Sequence, residues 1–189
     1  MSLRNAFGML LCAAVVVIAF LSSPARSQSR DDGSESAASN VQWHARRVEH
    51  RGAVLHVLVP ETVVASNAVP LNVMLKNGGK GTFQVGETGY LLDCKVSVVD
   101  DGGKPVAYSS MGTALFADGD FSQYAKLRFL PGRIRHWQYD IAQAFESFKP
   151  GRYRLTLTAK LQFQDPDANE FLAPVTVTAK QIPFTVASK

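Results

Sequence analysis

Beyond residue 40 the side chains alternate with a period of two rather than 3.6. Ala53 to Val59 is an apolar, β-branched run closed by Pro60. Leu71, Val73 and Leu75 alternate with Asn72, Met74 and Lys76, and Asn77-Gly78-Gly79 then signals a turn. Phe83 to Val85 is a short strand ended by Gly86. Leu92, Cys94, Val96 and Val98 make the next inward face. Asp100-Asp101-Gly102-Gly103 turns the chain, and Pro105 to Tyr108 is expected to return as the partner strand. Ala125, Leu127 and Phe129 alternate with Lys126 and Arg128. Pro131-Gly132 turns, and Trp137 and Tyr139 follow on one parity with Arg135. The cleanest strand comes next. Tyr153, Leu155, Leu157, Ala159, Leu161 and Phe163 oppose Arg152, Arg154, Thr156, Thr158, Lys160 and Gln162. Val175, Val177 and Ala179 open a final strand pair that Ile182, Phe184 and Val186 close.

Only Ile141 to Phe148 has helical spacing, with Asp140 placed to cap it and Pro150-Gly151 to end it. Met111 to Gln123 is the longest irregular segment, a loop that Leu115, Phe116 and Phe121 should pin down. The pattern predicts an all-β fold: seven to nine short strands in two antiparallel sheets packed face to face, with one short crossover helix. No internal repeat and no βαβ alternation interrupts it.

The first 40 residues follow a different rule. Arg4 precedes an apolar stretch from Phe7 to Leu21, and Ser22, Ser23 and Pro24 break it before Ala25-Arg26-Ser27. This order predicts a secretory signal peptide over residues 1–27, and the 15-residue apolar run is short for a spanning helix. Gln28 to Asn40 has no aromatic or β-branched residue and reads as a disordered linker, leaving 41–189 as the folded domain. The expected compartment is secreted or periplasmic, with no membrane insertion after signal cleavage. Removing Arg4 and Arg26 lowers the net charge from +4 to +2, so no basic footprint for nucleic acid remains. Cys94 is then the single cysteine, and its parity places it inside a sheet as a small hydrophobe.

Candidate chemistry is sparse. His44, His50 and His56 are six residues apart, and on an unbroken strand they would share a face, but they would stand about 20 Å apart along it, too far for one metal. Gly52 is expected to break that strand, and only His136 remains as a further ligand. Asp165-Pro166-Asp167-Ala168-Asn169-Glu170 spaces oxygens like a calcium loop but lacks its glycine and its distal carboxylate. Arg128, Arg133, Arg135, Arg152 and Arg154 would form a basic stripe if neighbouring strands gathered them, although solvated sheet charges are the commoner arrangement. No Gly-x-Ser-x-Gly, His-Glu-x-x-His or phosphate-binding glycine loop is present. Asp93, Asp140 and Glu146 read as turn, cap and surface. The sequence thus assigns no catalytic residue, no metal ligand and no cofactor, and points to a protein that is not an enzyme.

Two features resemble the immunoglobulin-type sandwich. Lys149-Pro150-Gly151-Arg152-Tyr153 opens a long strand like a tyrosine corner, and Trp137 is available for the space between sheets. A wider resemblance runs from about Pro70 to Lys160. It takes in Leu71 to Asn77, Val99 to Val106, Tyr108-Ser109-Ser110, Phe116, Leu130-Pro131-Gly132 and Pro150 to Tyr153. This order is similar to the immunoglobulin-like domain of the bacterial intracellular proteinase inhibitor family and of related exported bacterial modules. The resemblance implies a single immunoglobulin-like antiparallel β-sandwich of 41–189. The functional expectation is an exported, non-enzymatic module that binds an unknown protein or envelope component through loops or a sheet edge. A proteinase inhibitor presenting Met111 to Gln123 to a protease cleft is the alternative that the family suggests, and a metal carrier or enzyme with its site in the loops is a second.

Overall fold

The computed structural model describes residues 41–65, 68–88, 91–116 and 125–188. The expected signal peptide and linker lie outside them. Within them the chain is mostly strand, arranged as two sheets. One sheet has four strands in the order β1 (Trp43–His50), β2 (Ala53–Pro60), β4 (Pro70–Asn77), β9 (Ile134–Asp140), every neighbour antiparallel. The other is built on β10 (Gly151–Phe163) and β11 (Val175–Ala187). Strand β10 is flanked on its other side by β7 (Cys94–Asp100) and by β5 (Phe83–Thr88). β5 also pairs with β6 (Leu91–Leu92) and β8 (Ala125–Phe129), and β3 (Thr62–Val64) edges β11.

Alternation explains the packing. The inward residues of both sheets form one buried cluster that includes Leu55, Val57, Val73 and Leu75 from one layer and Val96, Leu155, Leu157 and Phe184 from the other. Aromatic rings bridge the layers: Phe129 of β8 lies 6.3 Å from Trp137 of β9 between ring centroids, and it stacks on Phe83 at 5.0 Å. Tyr153 stacks on Phe184 at 5.4 Å, and its hydroxyl donates to the Lys149 carbonyl at 2.8 Å while accepting from the Lys149 amide at 3.0 Å. That is the bond expected where the chain rounds a corner into β10.

Asn77 ties the layers together where β8 crosses to β9. Its buried amide donates to the carbonyls of Gly81 and Phe129, both at 2.8 Å, and its Oδ1 accepts from the Gly79 amide. Its own backbone receives Gly132 and donates to Arg133. A buried amide so placed closes the turn after β4 and the turn after β8 at once.

Several expectations need correction. The described residues hold eleven strands rather than seven to nine, the excess being short pieces such as β3 and β6. β3 pairs with β11 in parallel, so the architecture is not wholly antiparallel. The expected final strand pair is one continuous strand, β11. Leu155 faces Ile182 while Leu157 faces Ala179, so β11 carries one extra residue there, with Gln181 at φ 57°. The switch of apolar parity between Ala179 and Ile182 is the imprint of this bulge. Pro105 to Tyr108 does not form a continuous strand; it bridges to Val99 at Pro105, donates from Val106 N to the Val98 carbonyl at 2.9 Å and from the Tyr108 hydroxyl to the Val96 carbonyl, and meets Phe145 at Tyr108.

There are two short helices among the described residues, not one. α1 (Ser110–Phe116) occupies the first half of the expected loop Met111 to Gln123, and residues 117–123 lie outside the described set. Ser109 Oγ accepts from Gly112 N at 3.0 Å at its start. Gly112 is required: a Cβ there would sit 1.7 Å from the carbonyl oxygen of Ala144. α2 (Ile141–Ala144) begins as expected, with the Asp140 carboxylate accepting from Ala142 N. It stops four residues early, because Phe145 turns extended to bury its ring against Tyr108. A tertiary contact here overrides helical spacing.

Candidate functional site

Both sheets bury one face, so a site must be sought on the outer faces, the edges or the loops. In the sheet built on β10, the outward positions of β10 are the Arg, Thr, Lys and Gln residues of the alternating pattern. Their neighbours are Lys95, Ser97 and Val99 on β7 and Thr176, Thr178 and Lys180 on β11. Apart from Val99 and Pro183, this central surface is polar, as a face turned to water requires.

The outer face of the four-stranded sheet breaks that rule. The register lays residues out in rows across β1, β2, β4 and β9. Ala45, Leu58, Asn72 and Gln138 make one row. Arg47, His56, Met74 and His136 make the next, and Glu49, Val54, Lys76 and Ile134 the third. Val54 is only 6% exposed yet belongs to the outer face rather than the central cluster, while Ile134 is 48% exposed. At one end, Trp43 opposes Pro60, and with Val41, Val64 and Pro70 they line a groove of about 580 Å³. A large aromatic, three branched aliphatics, a methionine and two imidazoles therefore share one solvent-facing surface.

The two edges of this sheet differ. β1 lies against β11 of the other layer, and His44 and Pro183 line a small cleft where they meet. β9 pairs only with β4 among the described residues. Its inward side is fixed to the other layer. Arg135 donates to Glu87 Oε1 at 2.7 Å, and Trp137 Nε1 donates to the same oxygen at 3.3 Å. Both side chains of the ion pair are partly sheltered. The free edge is thus anchored to the other layer by contacts on its inward side.

The histidines fall on different faces. Arg51-Gly52 forms a two-residue hairpin turn between β1 and β2, and both residues take positive φ, 48° and 81°. Gly52 also meets the backbone of Gly79, where a Cβ would approach to 2.5 Å. The turn reverses parity, so His44 and His50 point to the inner side and His56 to the outer. His44 lies 3.8 Å from Glu61, and the His50 ring meets Phe163 edge-on. The five arginines do not form one stripe. Arg128 and Arg133 gather at the β8–β9 corner, where Arg133 donates to the Arg128 carbonyl and Arg128 lies over Phe171. Arg135 is paired with Glu87, while Arg152 and Arg154 lie across from Thr185 and Pro183 at the other end of β10.

Asp165 turns its carboxylate onto the amides of Asp167 and Ala168, which closes the 165–170 turn. Among the described residues no three His, Cys, Asp or Glu side chains converge on one point, and no helix is long and apolar enough to cross a membrane. Cys94 is buried, 3.9 Å from the Tyr139 hydroxyl, which itself accepts from Leu92 N at 3.0 Å. Burial pushes the Cys94 thiol up to about 12, and burial together with the neighbouring thiol pushes the Tyr139 phenol up as well. A thiol so far from ionising is a packing residue, not a nucleophile.

Leu58 and Met74 read in the sequence as ordinary strand residues, and Trp43 carries no signal of its own there. Met74 occupies an outward position between Asn72 and Lys76, and Trp43 opens a strand whose partner lies across the Arg51-Gly52 turn. What was missing was the pairing that sets these residues side by side. Compared with known proteins, the chain matches no family model, and no curated protein is similar to it.

Proposed function

We propose that this protein is an exported, non-enzymatic immunoglobulin-like module that works by binding a protein or another component of the cell envelope. The contact surface in this reading is the outer face of β1, β2, β4 and β9 together with the free edge of β9. One observation carries it: two sheets of one domain, built by the same alternation, expose different chemistry. One outer face is polar apart from Val99 and Pro183, while the other carries partly exposed Trp43, Leu58 and Met74 beside exposed Ile134. Clustered exposed apolar side chains within a polar surround are what a contact surface requires. The tyrosine-corner bond of Tyr153 and the inter-layer position of Trp137 support the immunoglobulin-like assignment. The Ser, Ala and Arg pattern before residue 27 supports export.

A photo-crosslinking amino acid placed at Ile134, and in a parallel chain at Thr158 on the opposite outer face, tests the reading in the source cell envelope. A discrete adduct from position 134 and none from 158 is the expected result. Adducts of equal yield from both faces, or none from either, would reject the surface. The inhibitor alternative gains nothing from the first half of its loop, since 110–116 is helical and tied to α2 instead of being offered extended.

A further inference from the structure

The middle row of the four-stranded sheet holds a second possibility, which does not depend on the face binding a macromolecule. Met74 is directly opposite His56 on β2 and directly opposite His136 on β9. All three share the outward parity, so the thioether stands between two imidazoles in a straight line across three strands. Directly opposed residues in antiparallel pairs hold their Cβ atoms about 4.5–5.5 Å apart. The histidine backbones are therefore about two strand spacings apart, roughly 10 Å. That spacing is within the combined reach of two imidazoles bound to one ion above the sulfur.

Three further observations point to a ligand. His56 and Met74 are half-buried and His136 is exposed, so the row is reachable from solvent yet partly sheltered. Among the described residues neither imidazole is committed to a hydrogen bond or an ion pair, whereas His44 faces Glu61 and His50 packs on Phe163. The surroundings contribute no anionic donor. The nearest carboxylate on this face is Glu49, in the adjacent row on β1, and the Arg47 guanidinium holds it. Asn72 and Gln138 are neutral, Lys76 is cationic, Arg47 directly opposite His56 is cationic and paired with Glu49, and Val54, Leu58 and Ile134 form an apolar rim.

Calcium and magnesium require oxygen donors, which this row does not offer. A zinc site built on imidazole alone takes three histidines, and this row offers two with a thioether, a poor zinc donor. Two imidazoles and a thioether are neutral, soft to intermediate donors, and soft thioether ligation selects monovalent copper. A neutral ligand set beside Lys76 also favours the ion of lowest charge. We propose that His56, Met74 and His136 form a surface site for Cu(I), one ion per chain.

The test titrates the full chain anaerobically with Cu(I) against bicinchoninate, a chromogenic chelator. The expected result is removal of one equivalent from the chelator, with affinity at least tenfold weaker in Met74→Leu, His56→Gln and His136→Gln and unchanged in His50→Gln. Circular dichroism of each variant checks that the sheet is intact. X-ray absorption of the loaded protein should show a sulfur neighbour that vanishes in Met74→Leu. Failure to compete with the chelator would overturn the proposal. So would affinity or sulfur scattering that survives Met74→Leu, since either would move the ion to another group such as Cys94.

Discussion

The two sheets share an interior and differ in their exteriors. Between the layers both sheets contribute Val and Leu, with Trp137 and Tyr139 as the large rings of the four-stranded sheet and Phe83, Phe129, Phe163 and Phe184 as those of the other. Outside, the sheet centred on β10 carries Arg154, Thr156, Thr158 and Lys160, whereas the four-stranded sheet carries Leu58, His56, Met74 and Ile134. Solubility would be served by the first pattern on both faces. Hydrophobic matching within the fold explains most inward residues, His44, His50 and Arg135 excepted, and does not explain partly exposed Leu58 and Met74 or exposed Ile134 on the outer face of β2, β4 and β9. The difference singles out the outer face of the four-stranded sheet as the one on which the proposed contact and ligand roles rest.

The sharpest way to break that comparison is to contrast inward and outward residues on one strand. Leu157 is fully buried between the layers, and Thr156 is its outward neighbour on β10. Leu157→Ala removes packed methyl groups and leaves a cavity, so it should cost about 3 kcal/mol of unfolding free energy. Thr156→Ala removes a hydroxyl that accepts from Gln181 N at 3.3 Å, so it should cost about 1 kcal/mol or less. Urea unfolding of both variants decides it, and equal losses would mean that the assignment of faces is wrong.

The next effect acts on the shared interior itself. Tyr139 of the four-stranded sheet and Cys94 of the other meet between the layers, and burial raises both acids above their ordinary values. The sign follows from proton counts. Between pH 9 and about 12 the folded thiol keeps a proton that the unfolded thiol has released, so the folded state binds more protons and stability falls as pH rises. From pH 8 to pH 10 the thiol alone should remove about 1.4 kcal/mol, the unfolded phenol joining only near the top of that window. Unfolding curves at pH 8 and pH 10 measure the loss. Cys94→Ala should abolish most of it, and a variant with the same fall as the parent would show that the thiol is not held neutral by burial.

What the sequence made legible follows the same division between inside and outside. The inward parity of β10, from Tyr153 to Phe163, was readable residue by residue, because one buried face imposes strict alternation. The bulge in β11 was present as the parity change at Ala179 and Ile182, but parity alone does not tell a bulge from a turn. α1 left no periodic trace. Its seven residues depend on Gly112 fitting against Ala144, a contact between positions 32 residues apart. The His–Met–His row was illegible for a similar reason: residues 56, 74 and 136 become neighbours only through the order β2-β4-β9, and no local rule specifies that order.

The smallest expected effect is the one that separates the two exteriors most cleanly. Leu58 and Ile134 lie outside the central cluster, Leu58 half-buried on β2 and Ile134 exposed on the edge strand β9. If they served the fold, replacing both by threonine would cost what partial burial of two aliphatic side chains confers, on the order of 2 kcal/mol. If they serve contact, the pair Leu58→Thr and Ile134→Thr should change unfolding free energy by no more than about 0.5 kcal/mol, since threonine keeps β propensity and both positions face outward. The same double variant should lose the envelope crosslink formed from an adjacent reporter at Gln138, whereas Thr156→Ala should leave it intact. Retained stability with a lost crosslink is the signature of a surface kept for recognition. A double variant that unfolds at clearly lower urea would instead return this face to the category of structural packing.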